Sequence, residues 1–177
     1  ITQLLYLVHQ IRTSWGKGNI AQGCFLDISA AFDKVWNLGL IAKLEQIGIS
    51  DAFLILFKSY LSDRKQCTVV DGIKSNMLDI KAGVPQGSRL GPLLFIIYIN
   101  DIIDGLESDI LIFADDCSLL ACGKDPAETA EQLNRDLQKI SMWAQKWKVK
   151  FNAGKSKDLI FSNKILNNSP PLLFNDN

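Results

Sequence analysis

Histidine and paired cysteines are scarce in this sequence of 177 residues. It has one histidine, His9, and four cysteines, none of them in a CxxC pair. Because zinc sites need clustered cysteine and histidine ligands, we expect no structural zinc site and expect the cysteines to be reduced, buried thiols. A lone histidine among apolar residues also argues against histidine-based nucleophilic or acid–base catalysis. Any chemistry must then rest on carboxylates or lysines.

The sequence also lacks an excess of charge and a long apolar run. Its 19 basic and 19 acidic residues cancel, which argues against a nucleic-acid module held by bulk electrostatics. The longest uncharged central stretch, residues 90–100, is about half of the roughly 20 residues that a membrane span needs. We therefore expect no membrane span and no secretory signal, and the absence of an initiator methionine predicts a fragment. An apolar content of 47% predicts one globular domain.

Hydrophobic periodicity alternates between helical and strand patterns along the chain. The predicted helices cover residues 4–15, 37–47, 51–61, 92–103 and 127–147. The predicted strands cover residues 20–28, 67–70, 77–80, 110–114, 117–121 and 158–162. Asn37 is the expected N-cap of the second helix, and the Asp71-Gly72 turn is expected to join strands 67–70 and 77–80. Since helix 92–103 is almost wholly apolar, we expect it to be buried. This order predicts an α+β fold, with a mixed sheet covered on one face by helices.

Three acidic residues lie where predicted strands end. Asp115 and Asp116 follow the apolar run 110–114, and Asp27 stands near the end of strand 20–28. Adjacent carboxylates repel each other unless a cation lies beside them, although a plain β-turn remains an alternative for this pair. If the two strands are neighbours, about 4.8 Å apart, the three carboxylates converge. Three acids without histidine suit a hard, oxygen-seeking cation.

Such a carboxylate site favours phosphoryl transfer. Mg²⁺ keeps several waters and is typically completed by substrate phosphates, so it suits an open cluster of acids on a sheet. Two such ions about 4 Å apart can clamp both the attacking and the leaving oxygen. No protein nucleophile is then needed, in agreement with the scarcity of histidine.

Three longer motifs surround these acids. Residues 25–35 are FLDISAAFDKV, residues 83–95 are GVPQGSRLGPLLF, and residues 113–116 are FADD. In their order and spacing, they resemble palm motifs A, B and C of the reverse-transcriptase domain of non-LTR (LINE-type) retrotransposons. Trp143, Trp147, Phe151-Asn152 and Lys155 resemble motif D. The resemblance implies a polymerase palm-like antiparallel sheet with helices packed on one face. It also implies an RNA-directed DNA polymerase that adds deoxynucleotides to a primer 3′-OH on an RNA template during retrotransposition.

The resemblance assigns metal and acid roles to individual residues. It implies that Asp27, Asp115 and Asp116 bind two Mg²⁺ ions, with Mn²⁺ as a possible substitute, and that the Ile28 carbonyl is an extra ligand. Lys155 aligns with the motif D lysine proposed to protonate the departing pyrophosphate, a general-acid step. A solvated or phosphate-contacting lysine is the alternative at that position.

Further residues are assigned to substrate binding. Phe32 falls where the family places a steric gate that excludes the ribose 2′-OH, and the alternative is an aromatic ring packed at a helix start. Gln86 and Gly87 match the motif B turn, which lies against the incoming nucleotide and the template base. Asp33 is typical of the family without an obvious ligand, and we expect a helix-capping or salt-bridge role.

The resemblance also implies how the chain relates to a full-length element. Residues 1–164 would be the palm, with the fingers mostly missing and the thumb absent, and residues 165–177 a polar tail. The partners would be an RNA template, a DNA primer, deoxynucleotides and the missing fingers, thumb and endonuclease segments, with no membrane. Such a fragment alone is expected to be weakly active or inactive. Its location would be intracellular, in the nucleus and cytoplasm of a eukaryotic host.

Three other interpretations compete. The palm could be a catalytically inert binding or assembly module, but that predicts lost carboxylates, and Asp27, Asp115 and Asp116 are all present. A degenerate retrotransposon fragment fits the residues equally well. A nucleotide cyclase would also use metal-binding carboxylates at a hairpin turn, but it lacks the Pro85-Gln86-Gly87 loop.

Overall fold

The computed structural model describes residues 2–166 and 170–174 and divides into two compact units. The first, here called the sheet unit, comprises the described residues of Ile1–Ser29, Ile102–Lys146 and Lys150–Asn177. The second, the helical unit, comprises Ala30–Asp101 and Trp147–Val149. The helices are α1 (Thr2–Gly16), α2 (Asn37–Gln46), α3 (Asp51–Leu61), α4 (Leu90–Ile99) and α5 (Pro126–Trp147), with a 3-10 turn at Asn100–Ile103. The strands are β1 (Ile20–Asp27), β2 (Lys65–Gln66), β3 (Val69–Val70), β4 (Ile73–Lys74), β5 (Leu78–Asp79), β6 (Asp109–Phe113), β7 (Asp116–Gly123) and β8 (Lys157–Phe161).

The sheet unit is built on a four-stranded sheet in the order β6-β7-β1-β8, in which every neighbouring pair is antiparallel. β1 lies inside the sheet, and its residues from Ile20 to Cys24 are all buried, as their apolar composition predicts. Gln22 is the polar exception. Its amide is satisfied on both sides, because it accepts from the Thr129 hydroxyl at 2.7 Å and donates to the Asp158 carboxylate at 2.9 Å. The predicted α+β fold with an antiparallel sheet is confirmed.

Successive residues of β1 contact different helices. Gln22 meets Thr129 of α5, whereas Ala21 packs in a cluster with Ile11 of α1 and with Leu120. Because neighbouring side chains on a strand point to opposite faces, α5 and α1 cover opposite faces of the sheet at this end. The structure thus adds a second covered face to the predicted one.

Helix α5 follows its predicted pattern closely. Asp125 caps its first turn, since its carboxylate accepts from the N–H groups of Ala127 and Glu128 at 2.9 and 3.0 Å. The predicted apolar face starts at Ala127, which is exposed, and it is buried from the second turn onwards, at Ala130, Leu133, Leu137, Ile140, Ala144 and Trp147. This face is the apolar stripe expected of a helix packed on a sheet.

In the helical unit, α2 packs against α3 and α4. Lys43 of α2 is buried, and its ammonium group pairs with Asp101, donates to the Tyr98 carbonyl and lies 3.9 Å from the centre of the Trp147 ring. A buried lysine is tolerated only when its charge is compensated, and here a carboxylate, a carbonyl and an aromatic face compensate it.

Three details of the helical unit correct the sequence predictions. The turn at Asp71-Gly72 is right, but β3 pairs with β4 beside it, and β2 pairs separately with β5, so the predicted 67–70 and 77–80 pairing is wrong. Helix α4 begins at Leu90, and two of its apolar residues, Leu93 and Ile96, are 52% and 51% exposed. Apolar content alone does not reveal which face is covered. The N-cap of α2 is Trp36, which precedes the expected Asn37.

Two further observations concern the chain as described. Residues 170–174 lie along α5, where Asn134 accepts from the Leu173 N–H at 2.8 Å, and the buried Phe174 packs on Phe151. The rest of the predicted 165–177 tail is described only at residues 165 and 166, and the others lie outside the described residues. None of the helices in the described ranges is long and apolar enough to cross a membrane.

The four cysteines are free thiols. Cys24 and Cys117 are buried, as predicted, whereas Cys122 is exposed and Cys67 is partly so. Burial raises the pKa of both buried thiols to about 12, with a smaller contribution from Asp158 at Cys24 and from Cys24 at Cys117. These two thiols therefore pack as small apolar groups.

Candidate active site at the end of the sheet

Two of the predicted metal ligands lie side by side. Asp27 is the last residue of β1 and Asp116 the first of β7, and the antiparallel register places them directly opposite each other. Residues paired in this way point to the same face of a sheet, with their Cβ atoms about 5 Å apart. The predicted convergence of the carboxylates required β1 and β7 to be neighbours, and they are. Asp116 is exposed and Asp27 is half-buried, so the pair is open to solvent.

The third acid, Asp115, lies in the hairpin that joins β6 to β7. Phe113 pairs with Asp116, which leaves Ala114 and Asp115 as a two-residue turn. The prediction that both acids occupy the turn is therefore corrected, because Asp116 belongs to the strand. Ala114 has a φ of 53°, a left-handed conformation that is uncommon for a residue with a side chain. Such local strain is typical of functional turns.

The main chain around Asp27 is held by the segment that follows α5. The Asp27 carbonyl accepts from the Asn152 N–H at 2.8 Å, and its own N–H donates to the Ser156 hydroxyl at 3.3 Å. Ile28, the predicted carbonyl ligand, is buried and forms an isolated bridge with Phe151. These contacts hold the end of β1 through its main chain, and among residues 2–166 and 170–174 no hydrogen bond or ion pair engages the Asp27 carboxylate.

The donor set fits a hard cation in its chemistry. Mg²⁺ is commonly held by one or two carboxylates, with water and substrate phosphates completing its shell, and Asp27 with Asp116 supplies such a pair. Across residues 2–166 and 170–174, no group of three histidine, cysteine, aspartate or glutamate side chains is placed so that it could hold a metal ion. The adjacency of two ligands is thus a feature of the structure, and the convergence of all three stays a prediction.

Lys155 belongs to the same unit as the acids. It is exposed in the turn between Phe151 and β8, and its N–H donates to the Asn152 carbonyl at 3.1 Å. Asn152 is also the residue that donates to Asp27, so this turn and the end of β1 share one anchor. The general-acid role of Lys155 stays a prediction.

The other predicted site residues lie in the helical unit. Phe32 is half-buried, and its ring packs on that of Phe95 in α4, with the centroids 4.8 Å apart and the planes at 37°. Gln86 and Gly87 are exposed, and Gly87 has a φ of 76°, a conformation that favours glycine. The substrate-binding roles of these three residues stay predictions.

The structure gives Asp33 a partner that the sequence analysis missed. Its carboxylate accepts a hydrogen bond of 2.8 Å from the Gln86 side-chain amide, in place of the expected capping or salt-bridge role. Arg64 was also missed, and its guanidinium donates to the Gly83 carbonyl at 2.6 Å. Neither contact has a sequence signal, because the partners are 53 and 19 positions apart and belong to no periodic pattern.

Comparison with known proteins identifies the family. The model of the family described as "Reverse transcriptase (RNA-dependent DNA polymerase)" matches residues 7–167. The chain belongs to the reverse transcriptase family. The family relationship predicted from the three motifs is therefore confirmed. Polymerases of this family use divalent metal ions.

Curated relatives of this reverse transcriptase are polymerases of insect mobile elements. It is 40% identical to the RNA-directed DNA polymerase from mobile element jockey of Drosophila funebris, over 84% of this chain and 17% of that protein. It is 32% identical to the probable RNA-directed DNA polymerase from transposon X-element of Drosophila melanogaster, over 98% of this chain and 19% of that protein. The chain thus spans under a fifth of the length of these relatives.

Solved structures share the fold of this reverse transcriptase. A telomerase from Candida albicans in complex with a TWJ fragment of telomeric RNA superposes with a TM-score of 0.66, covering 97% of this chain and 33% of that one. An apo telomerase from Candida tropicalis, truncated from its C-terminal domain, gives a TM-score of 0.64, covering 92% and 36%. Both are 14% identical to this chain, so the likeness concerns the fold alone.

Proposed function

We propose that this chain is the catalytic palm of an RNA-directed DNA polymerase that adds deoxynucleotides to a primer 3′-OH on an RNA template. The observation that carries the proposal is the register that sets Asp27 opposite Asp116 at the end of the sheet, within the matched family region. The RNA template, the DNA primer and the deoxynucleotides are the proposed partners, together with the fingers, thumb and endonuclease segments. The proposed setting is retrotransposition in the nucleus and cytoplasm of a eukaryotic host.

The proposed metal ligands are the three acids and one carbonyl. Asp27 and Asp116 would hold the ions from neighbouring strands, Asp115 from the hairpin turn, and Ile28 through its carbonyl oxygen. When bound, two Mg²⁺ ions, or Mn²⁺ in their place, supply the charge that favours deprotonation of the primer hydroxyl and offsets charge on the departing pyrophosphate.

The protein's own contribution is positioning and proton supply. Asn152 and Ser156 hold the Asp27 main chain, which would position the base of its side chain before a ligand binds. Lys155 is exposed beside this anchor, and its ammonium group would donate the proton that the pyrophosphate takes up. Preorganised groups of this kind are the usual source of rate enhancement in phosphoryl transfer.

Sugar selection would depend on Phe32. Its ring packs on that of Phe95, a buried residue of α4, so it cannot move toward the helix without disturbing it. A ring packed in this way can reject a ribose 2′-OH by steric exclusion and accept a deoxyribose, which fits the product of an RNA-directed DNA polymerase.

Primer extension on an RNA template tests the proposal. The full-length protein that contains these residues is compared as wild type, Asp116→Asn and Asp109→Asn. Asp116→Asn removes one charge beside Asp27 and should lower extension by about 100-fold or more, the order of loss that follows removal of one group stabilising developing charge. Asp109→Asn makes the same change to an exposed acid at the other end of the β6–β7 hairpin and should leave extension unchanged.

The outcomes separate the competing functions. Extension by the wild type that is lost only in Asp116→Asn supports the polymerase. Retained extension in Asp116→Asn would overturn the metal assignment. A wild type that folds, carries all three acids and extends no primer would instead favour an inert binding or assembly module.

A further inference from the structure

The loop that carries Gln86 is attached to the segment that carries Asp33. The Val84 N–H donates to the Phe32 carbonyl, and the Gly83 N–H donates to the Val35 carbonyl, both at 2.8 Å. These two bonds flank Asp33 and hold its main chain against the loop. Within the helical unit, the position of one segment therefore fixes that of the other.

Close packing makes this attachment rigid. A Cβ atom built on Gly83 would lie 2.6 Å from the Asp33 carbonyl oxygen, so only a glycine allows the two backbones to approach this closely. Arg64 also holds this loop, because its guanidinium donates to the Gly83 and Ala82 carbonyls at 2.6 and 3.3 Å. The Asp33 main chain is therefore held close to the loop that carries Gln86, which keeps the two side chains within reach of each other.

The hydrogen bond between Asp33 and Gln86 selects one orientation of the amide. An ionised carboxylate can only accept hydrogen bonds, so the NH₂ end of Gln86 must face Asp33, as the 2.8 Å contact shows. The Gln86 carbonyl oxygen is then directed away from Asp33. Both side chains are exposed, so this oxygen is available to a ligand.

We infer that Asp33 is a positioning residue that orients Gln86 as a hydrogen-bond acceptor for the nucleotide substrate. This inference rests on the proposed function and deepens it. The group recognised is a hydrogen-bond donor of the deoxynucleotide, such as its sugar hydroxyl or a base N–H. Without Asp33, the amide can rotate by 180° and present its NH₂ group, which repels such a donor.

A double-mutant cycle in the full-length protein tests the inference. KM for the deoxynucleotide and kcat are measured on an RNA template for Asp33→Ala, Gln86→Ala and the double variant. Asp33→Ala should raise KM by about tenfold, with kcat changed less than twofold, since substrate binding and not chemistry is affected. In the Gln86→Ala background, Asp33→Ala should have no further effect, because residues that act as one unit are not additive.

Two comparison variants separate orientation from general damage. Asp33→Asn retains a carbonyl acceptor for the Gln86 amide and should recover part of the lost affinity. Lys34→Ala changes the neighbouring exposed residue and should leave KM unchanged. The Gln86 side-chain amide signals in a ¹⁵N NMR spectrum of the 177-residue chain, identified by their loss in Gln86→Ala, should shift in Asp33→Ala and not in Lys34→Ala.

Failure of this inference is distinguishable from failure of the proposed function. If the wild type extends a primer but the two substitutions are additive, or Asp33→Ala leaves KM unchanged, the inference is overturned and the polymerase stands. If the wild type extends no primer, the proposed function fails and this inference fails with it.

Discussion

Gly83 is the position at which backbone geometry bears most directly on the candidate site. It has a φ of 85°, which residues with a Cβ rarely adopt, and its main chain lies against that of Asp33. Gly72, in the β3–β4 turn, has a similar φ of 80° but no other atom near its absent side chain. The two glycines therefore separate the cost of an unfavourable φ from the cost of a steric clash.

We expect Gly83→Ala to cost more stability than Gly72→Ala. The unfavourable φ alone should lower the free energy of unfolding by about 1–2 kcal/mol in Gly72→Ala. Gly83→Ala adds displacement of the Asp33 carbonyl and should cost about 2–4 kcal/mol. Urea unfolding of the 177-residue chain measures both values, and equal losses would contradict the close contact between the loop and Asp33.

Single residues also show the limits of sequence analysis. The pairing of Asp27 with Asp116 could be anticipated, because both residues stand at the ends of predicted strands. The order of the motifs along the chain also suggested that these strands are neighbours. The bond between Asp33 and Gln86 could not be anticipated, because a side-chain contact between loops leaves no periodic trace. The position of Asp116 in β7 was not predicted either, because the two-residue turn includes Ala114 at a φ of 53°, a conformation that alanine rarely adopts and that the sequence does not signal.

At the scale of elements, Asp136 attaches α5 to the segment before β6. Its carboxylate is fully buried and accepts from the N–H groups of Glu107 and Ser108, at distances between 2.7 and 3.1 Å. Burial alone would raise the pKa of Asp136, but these N–H groups, the Ser108 hydroxyl and Lys139 outweigh it and leave the pKa lowered. Hydrogen bonds from Arg135 and then Lys139 lower the pKa of the nearby Glu107 to about 2.

The lowered pKa of Asp136 predicts a loss of stability in acid. Because the unfolded chain binds the proton more tightly than the folded one, the stabilisation is complete above the unfolded pKa of about 3.9 and is lost as pH falls below it. Asp136→Asn should lower the free energy of unfolding at pH 7 by about 1–3 kcal/mol, and this deficit should shrink below pH 4. Chemical unfolding at pH 7, 5 and 3 measures both effects.

Asp104→Asn is the matched control for this prediction. It removes an exposed carboxylate from the same segment and should change the free energy of unfolding by less than about 0.5 kcal/mol. A deficit in Asp136→Asn that stays constant down to pH 3 would contradict the account of the buried carboxylate.

The buried residues of a helix or strand were predictable where its apolar residues form a regular pattern on one face. The helical spacing of α5 predicts its buried residues correctly from Ala130 to Trp147 but fails at Ala127, which is exposed in the first turn. Periodicity and burial are linked by geometry where a helix lies on the core. Helix α4 was predicted to be wholly buried, yet Leu93 and Ile96 are half exposed, since its sequence is apolar all round and carries no directional signal. The short strands from β2 to β5 are two residues each and fall below what periodicity can resolve.

At the scale of the whole molecule, the fold, the family and the strand register all support a reverse-transcriptase palm. The family region covers residues 7–167, and the antiparallel sheet inside it sets Asp27 and Asp116 together although they are far apart in sequence. The sequence motifs predict the order of the functional segments along the chain. The structure shows which of their residues lie opposite or contact each other. The proposed polymerase activity therefore requires that the strand-end acids Asp27 and Asp116 bind divalent ions.

Anomalous scattering from Mn²⁺ is the most direct test of that claim. Crystals of the 177-residue chain are soaked with Mn²⁺ and a deoxynucleoside triphosphate, and crystals of Asp116→Asn are treated in the same way. We predict anomalous peaks about 2.1 Å from the carboxylate oxygens of Asp27 and Asp116 in the wild type, and their loss in the variant. A wild-type crystal with nucleotide bound and no peak at these acids, or with both acids paired to lysine or arginine, would contradict the account.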